Sequence, residues 1–168
     1  KYWPDAKGMV DELQAQGTQV AISVWPTVDS AASKNYVTME ENGWLVKSVC
    51  QQDTMTGTSV FYDSFSEEAR NFVWEQIKKS YYDVGIKSYW LDADEPEYHD
   101  YEEVRQISYC VGDAIKVSNA YPNKHLQGIY ENLKKQGEVY VVNLTRSAWI
   151  GGQQYGALVW SGDVKSNW

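Results

Sequence analysis

The feature that most constrains this chain is a set of apolar, β-branched runs punctuated by abrupt stops. Four are present: "TQVAISVWP" (residues 18–26), "GIKSYWLDAD" (85–94), "EVYVVNLTRS" (138–147) and "GALVWSGD" (156–163). A run that is apolar at nearly every position reads as a strand buried on both faces, which is how strands of parallel sheets are patterned. The first run stops at a proline. The other three stop in a polar or charged cluster: "WLDADE", "NLTRS" and "VWSGD".

Helical spacing fills the intervals. Asp5 is placed to cap a helix carrying Met9, Val10 and Leu13, with Gly17 as its stop. Ser66 caps a second helix with Ala69, Phe72, Val73, Trp74 and Ile77 on its apolar stripe. Val104, Ile107, Val111 and Ile115 predict a helix over 101–117. Pro122 opens another, carrying Leu126, Ile129, Tyr130 and Leu133 as far as Gly137. Residues 27–60 read as polar and irregular, with "GWLVKSV" (43–49) as a short hairpin strand.

The order helix–strand, helix–strand, helix–helix–strand, strand defines an α/β fold. Polar clusters at the carboxyl ends of parallel strands are how (β/α)8 barrels build their sites. Four strands are too few to close a TIM barrel, so the expectation is a partial (β/α)8 barrel: central strands with their helices. Residues 1–168 then read as a single segment of a TIM-barrel catalytic domain, truncated at both ends.

Composition excludes several function classes. The formal charge is −8, from 15 Lys+Arg against 23 Asp+Glu, and no basic cluster stands out. A nucleic-acid backbone is therefore a poor partner. Cys50 and Cys110 give no disulfide framework, and with only His99 and His125 a zinc site is not expected. No apolar stretch of about 18 residues is present, so no membrane span is expected. Eight Trp and thirteen Tyr suit a sugar-binding cleft as well as a large core.

Chemistry concentrates at the strand ends. "YWLDADEPE" (89–97) holds four carboxylates: Asp92, Asp94, Glu95 and Glu97. Strand alternation puts Trp90 and Asp92 on one side, Tyr89 and Leu91 on the other. A catalytic carboxylate, a divalent-cation site of hard oxygen ligands and a solvated acidic loop all fit this pattern. Asp163 follows Gly162 after an apolar strand and beside Trp160; a turn or cap aspartate is the plainer alternative. Arg146 ends "NLTRS" and can bind a sugar hydroxyl or hold a carboxylate ionised. Asn143-Leu144-Thr145 also matches an N-glycosylation acceptor, which a buried strand end would disable.

These clusters, in this order, resemble the catalytic barrel of glycoside hydrolase family 31. That family carries Trp-x-Asp-x-x-Glu, here Trp90-Leu91-Asp92-Ala93-Asp94-Glu95. It carries Thr-Arg-Ser, here Thr145-Arg146-Ser147, and Trp-x-Gly-Asp, here Trp160-Ser161-Gly162-Asp163. "WPDAKGMVDELQAQG", "VFYDSFSEEAR" and "NAYPNKHLQGIYE" resemble it too, so the likeness spans almost the whole chain. It implies a retaining α-glycosidase acting on terminal α-linked xylose or glucose by double displacement, with no metal and no cofactor. Asp92 would be the nucleophile and Asp163 the general acid/base. Trp90, Arg146, Trp160 and Trp25 would contact the sugar of an oligosaccharide or small glycoside substrate.

The chain departs from many α-glucosidases of the family at Val159, where they have His, and in 53–57, which lacks a Trp. The "WLDAxEPE" and "LVWSGD" wording leans toward α-xylosidases. Other domains of the parent protein could mediate oligomers. Two other readings stand beside this one: an inactive carbohydrate-binding or structural α/β domain, and a metal-dependent hydrolase using Asp92, Asp94 and Glu95.

Overall fold

A computed structural model describes residues 3–48, 59–96, 98 and 101–166. Helix α1 (Ala6–Ala15) begins where Asp5 accepts a hydrogen bond from Gly8 N at 2.8 Å and ends before Gly17, whose φ is 81°. Strand β1 (Ala21–Val24) follows. The next stretch is more regular than its sequence predicts: β2 (Thr27–Asp29), α2 (Lys34–Glu41), β3 (Lys47–Ser48) and β4 (Ser59–Phe61) all lie in or border it. Helix α2 is short and buries only Met39, so it has almost no apolar stripe to read. "GWLVKSV" does contain a strand, although Val49 and the tryptophan-free stretch 53–57 lie outside the described residues.

Helix α3 (Glu67–Ser80) starts at the Ser66 cap, whose hydroxyl accepts from Ala69 N at 3.1 Å. Strand β5 (Ser88–Leu91) comes next. The helix expected over 101–117 is not formed. It is replaced by α4 (Tyr101–Val104), a hairpin of β6 (Ile107–Tyr109) and β7 (Gly112–Asp113), and α5 (Ala114–Val117). The physical reason is at Gly112. Its φ of 130° has no place inside a helix, and Ile107 and Tyr109 alternate into the core as strand residues do. Strand β6 also pairs antiparallel with β3, a partner about sixty residues away in sequence. Helix α6 (Tyr121–Lys135) carries Pro122 in its first turn as predicted, and β8 (Asn143–Thr145) and β9 (Ala157–Val159) complete the chain.

Strands β1, β5, β8 and β9 form one parallel sheet in that order. These are the four apolar runs, each shortened to its paired residues. One face is covered by α3 and α6. Trp74 and Ile77 from α3, Tyr89 and Leu91 from β5, and Leu126, Ile129 and Leu133 from α6 make a single core cluster. The two helices approach closely because Gly128 has no side chain: a Cβ there would sit 2.9 Å from Arg70 atoms. Arg70 is itself buried, donating to the Ser64 and Phe65 carbonyls at 2.8 and 3.0 Å. A second cluster, with Phe61, Ile107, Tyr109 and Tyr121, packs the β6–β7 excursion onto α6. Asp63 fastens it: Oδ2 accepts from Cys110 N at 2.6 Å. This is the architecture of consecutive β/α units of a barrel wall, with helices outside and the opposite face of the sheet turned inward.

Candidate active site

The site grows out of the carboxyl ends of the sheet. Backbone pairing runs past each strand: Asp92 N donates to Val24 O, Arg146 N to Leu91 O, and Trp160 N to Thr145 O. These bonds bring the residue after β5, the residue after β8 and the residue after β9 to one rim. Alternation holds as the sequence implies. Tyr89 and Leu91 are buried against the helices, while Trp90 lies on the inward face. Trp90 and Trp160 meet edge to face, with ring centroids 5.1 Å apart and an interplanar angle of 87°. The Trp90 Nε1 donor is buried and has no hydrogen-bond partner among the described residues.

Asp92 is 9% exposed. Its Oδ1 accepts from Ala93 N at 2.9 Å and lies 3.3 Å from Arg146 Nη1. Arg146 also grips Glu95 with two bonds, Nε to Oε1 at 2.7 Å and Nη2 to Oε2 at 2.8 Å. Ala93 makes this possible. Its φ of 55° is a left-handed conformation that a non-glycine residue adopts at a cost of roughly 1–2 kcal/mol. The turn it makes leaves both Asp92 and Glu95 in reach of the same guanidinium.

Asp94 faces elsewhere and is completely buried. Oδ1 accepts from Ser147 N at 2.9 Å, and Oδ2 lies 2.5 Å from Thr145 Oγ1. Burial, with the neighbouring Glu95 charge adding to it, pushes the Asp94 carboxyl up to about 7 against the lowering effect of its hydrogen bonds. Of the three carboxylates in the metal reading, Asp92 and Glu95 both face Arg146 while Asp94 is turned to Thr145 and Ser147. Among the described residues no three His, Cys, Asp or Glu side chains converge in a set that could hold a metal ion; Glu97 lies outside them.

Asp163 follows Gly162, whose φ of 88° lets the chain turn after β9. It is exposed, and its carboxylate makes no hydrogen bond or ion pair among the described residues. Trp25 follows β1 at the same end of the sheet and is 48% exposed, but it makes no ring contact with Trp90 or Trp160. It lines a cavity of about 140 Å³ with Met39, Phe72 and Ile77, on the helix side of β1. Asn143 is fully buried, so the glycosylation reading of "NLT" has no accessible side chain. The pairing of Arg146 with Glu95 and the anchoring of Asp94 on β8 were not foreseen. The Glu of Trp-x-Asp-x-x-Glu and the hydroxyls flanking Arg146 were the available signals.

A parallel sheet with outer helices, carrying a carboxylate–arginine cluster and paired tryptophans at its carboxyl rim, defines a barrel-type catalytic scaffold. The chain belongs to glycosyl hydrolase family 31: the family's TIM-barrel domain matches residues 1–168. It is 44% identical over 168 residues to an uncharacterized family 31 glucosidase, ORF2, of Pseudescherichia vulneris, covering 98% of this chain and 31% of that protein. It is 34% identical over 170 residues to an alpha-xylosidase of Saccharolobus solfataricus, covering 99% and 22%. Among solved structures, a family 31 α-xylosidase from a soil metagenome, complexed with xylose, superposes with a TM-score of 0.91 at 45% identity, covering 98% of this chain and 24% of that one. The chain therefore spans a third or less of these relatives.

Proposed function

We propose that residues 1–168 form one segment of the catalytic barrel of a retaining α-glycosidase that removes terminal α-linked xylose or glucose. The observation that carries this reading is the rim cluster. Asp92, which directly follows β5, contacts Arg146, which directly follows β8, beside the Trp90–Trp160 pair, and Asp163 lies just beyond β9. In this reading Asp92, 3.3 Å from Arg146 Nη1, attacks the anomeric carbon as a carboxylate. Asp163 protonates the departing oxygen and then activates water. The tryptophan faces pack on the sugar. Trp25 is a weaker contact, because it lines a cavity on the helix side of β1.

The named α-xylosidases among its relatives make xylose the first sugar to test. The full-length parent protein should hydrolyse aryl α-xylosides, with aryl α-glucosides as the paired comparison. Asp92→Asn should abolish turnover, by about 10⁴-fold or more. Asp163→Ala should slow poor leaving groups far more than good ones. Turnover of both aryl glycosides at the wild-type rate by Asp92→Asn would sink the assignment.

A further inference from the structure

Thr145 Oγ1 sits between two oxygens, 2.5 Å from Asp94 Oδ2 and 2.6 Å from the Ser147 carbonyl oxygen. A threonine hydroxyl has one proton. If Asp94 were ionised, both neighbours would be pure acceptors, and one short oxygen–oxygen contact would have no hydrogen in it. The remaining Asp94 oxygen gives no relief, because it already accepts from Ser147 N at 2.9 Å. The count closes if the second proton belongs to Asp94: the carboxyl donates to Thr145 Oγ1, and Thr145 donates to Ser147 O.

We infer that Asp94 is held as a neutral carboxylic acid and acts as a positioning residue, clamping the β8 tip on both sides of Arg146 and so aiming that guanidinium at Asp92 and Glu95. The two segments interlock. Asp92 and Glu95 meet Arg146, while Asp94, lying between them in sequence, meets the residues on either side of Arg146. Charge supports the same assignment. One guanidinium faces two carboxylates, and an ionised Asp94, which has no ion pair among the described residues, would be a third negative charge buried beside them. The charged and titratable groups nearest Asp94 are Glu95 from its own loop, with Asp92 and Arg146 beyond it, and the buried Tyr62 phenol that follows β4. Burial raises the Asp94 carboxyl to about 7, so the proton is retained below neutrality and is given up as pH rises through about 7.

The bearing on catalysis rests on the glycosidase reading above; the protonation does not. The test uses the full-length protein, wild type and Asp94→Asn, since an asparagine amide can donate to Thr145 and accept from Ser147 N in the same places. Melting temperatures are compared from pH 4 to 8. As pH rises from about 4 to about 7 the unfolded Asp94 ionises while the folded one does not. Wild type should therefore fall in stability relative to Asp94→Asn across that window and level off above it. A flat difference, or Asp94→Asn becoming the less stable protein as pH rises, would overturn the inference whatever the enzyme's substrate. In the aryl α-xyloside assay, Asp94→Asn should keep kcat within about threefold and lack an alkaline fall of wild type near pH 7. Asp94→Ala should lose about 100-fold in kcat, the scale of a small misplacement of a catalytic group. Equal kcat losses in both variants would overturn the positioning role, while a melting difference without any turnover would fault only the proposed function.

Discussion

Arg146 shows how much one side chain can organise at the end of a strand. Its fork takes Glu95 in a bidentate pair and leaves a third nitrogen 3.3 Å from Asp92, so a single cation lowers the cost of packing two carboxylates at the rim. Deeper in the fold His125 illustrates the opposite case, a titratable group kept neutral. It is fully buried on α6, with Nδ1 2.7 Å from the Tyr62 hydroxyl, and burial pulls its pKa down to about 4. The unfolded chain takes up that proton near 6.5, the folded chain only near 4. Stability from His125 is therefore complete above about pH 6.5 and is lost as pH falls toward 4, by about 3 kcal/mol. His125→Gln should remove this loss, so urea midpoints of wild type relative to His125→Gln should decline between pH 6.5 and 4. A constant difference would show that His125 takes up its proton at the same pH in the folded and unfolded protein. The sequence flagged His125 only as a poor zinc candidate, because nothing local signals that its ring meets Tyr62, 63 residues away.

At the scale of elements, β9 is placed by a glycine. Gly156 has a φ of 71°, its carbonyl accepts from Asn143 N at 3.1 Å, and a Cβ would lie 2.2 Å from the Val141 carbonyl oxygen. Gly156→Ala should therefore push β9 off β8 and displace the Trp160–Asp163 turn. Gly17, with φ 81° and open space around it, should bear Ala at the backbone cost alone. Denaturant midpoints should show about 1 kcal/mol lost for Gly17→Ala and at least twice that for Gly156→Ala; equal losses would contradict the close approach at β8. Caps and stripes made α1, α3 and α6 legible from sequence, down to Asp5, Ser66 and Pro122. The stripe at 104, 107, 111 and 115 misled, since Val111 and Ile115 are exposed while Ile107 and Tyr109 are the buried pair of a strand. Helix periodicity and a short hairpin share residues when the decisive contact is with β3.

At the largest scale, the parallel sheet that carries the rim has one face covered by helices. Among the described residues β1 and β9 each pair on one side only. Leu158 and Val159 on β9 are 56% and 59% exposed, and Val139, Tyr140 and Val142 before β8 are also open. An unpaired strand bearing exposed apolar residues is a template for association. Residues 1–168 expressed alone should self-associate at micromolar concentrations, read by size-exclusion with light scattering, and should turn over aryl α-xylosides about 100-fold or more slower than the parent protein. A monodisperse, fully active segment would mean that the rim is complete without further strands. The parallel α/β order, the ends of α1, α3 and α6, and the three motifs that assign the family are legible in the sequence, because each is written in neighbouring residues. Only packing set which two carboxylates meet Arg146, which one is buried against Thr145 and Ser147, and that 107–113 turns as a hairpin. Those outcomes depend on pairings across 51 to 54 residues, or on a strand from another part of the chain. Hydrogen-bond partners and burial at that range leave no periodic trace in the sequence.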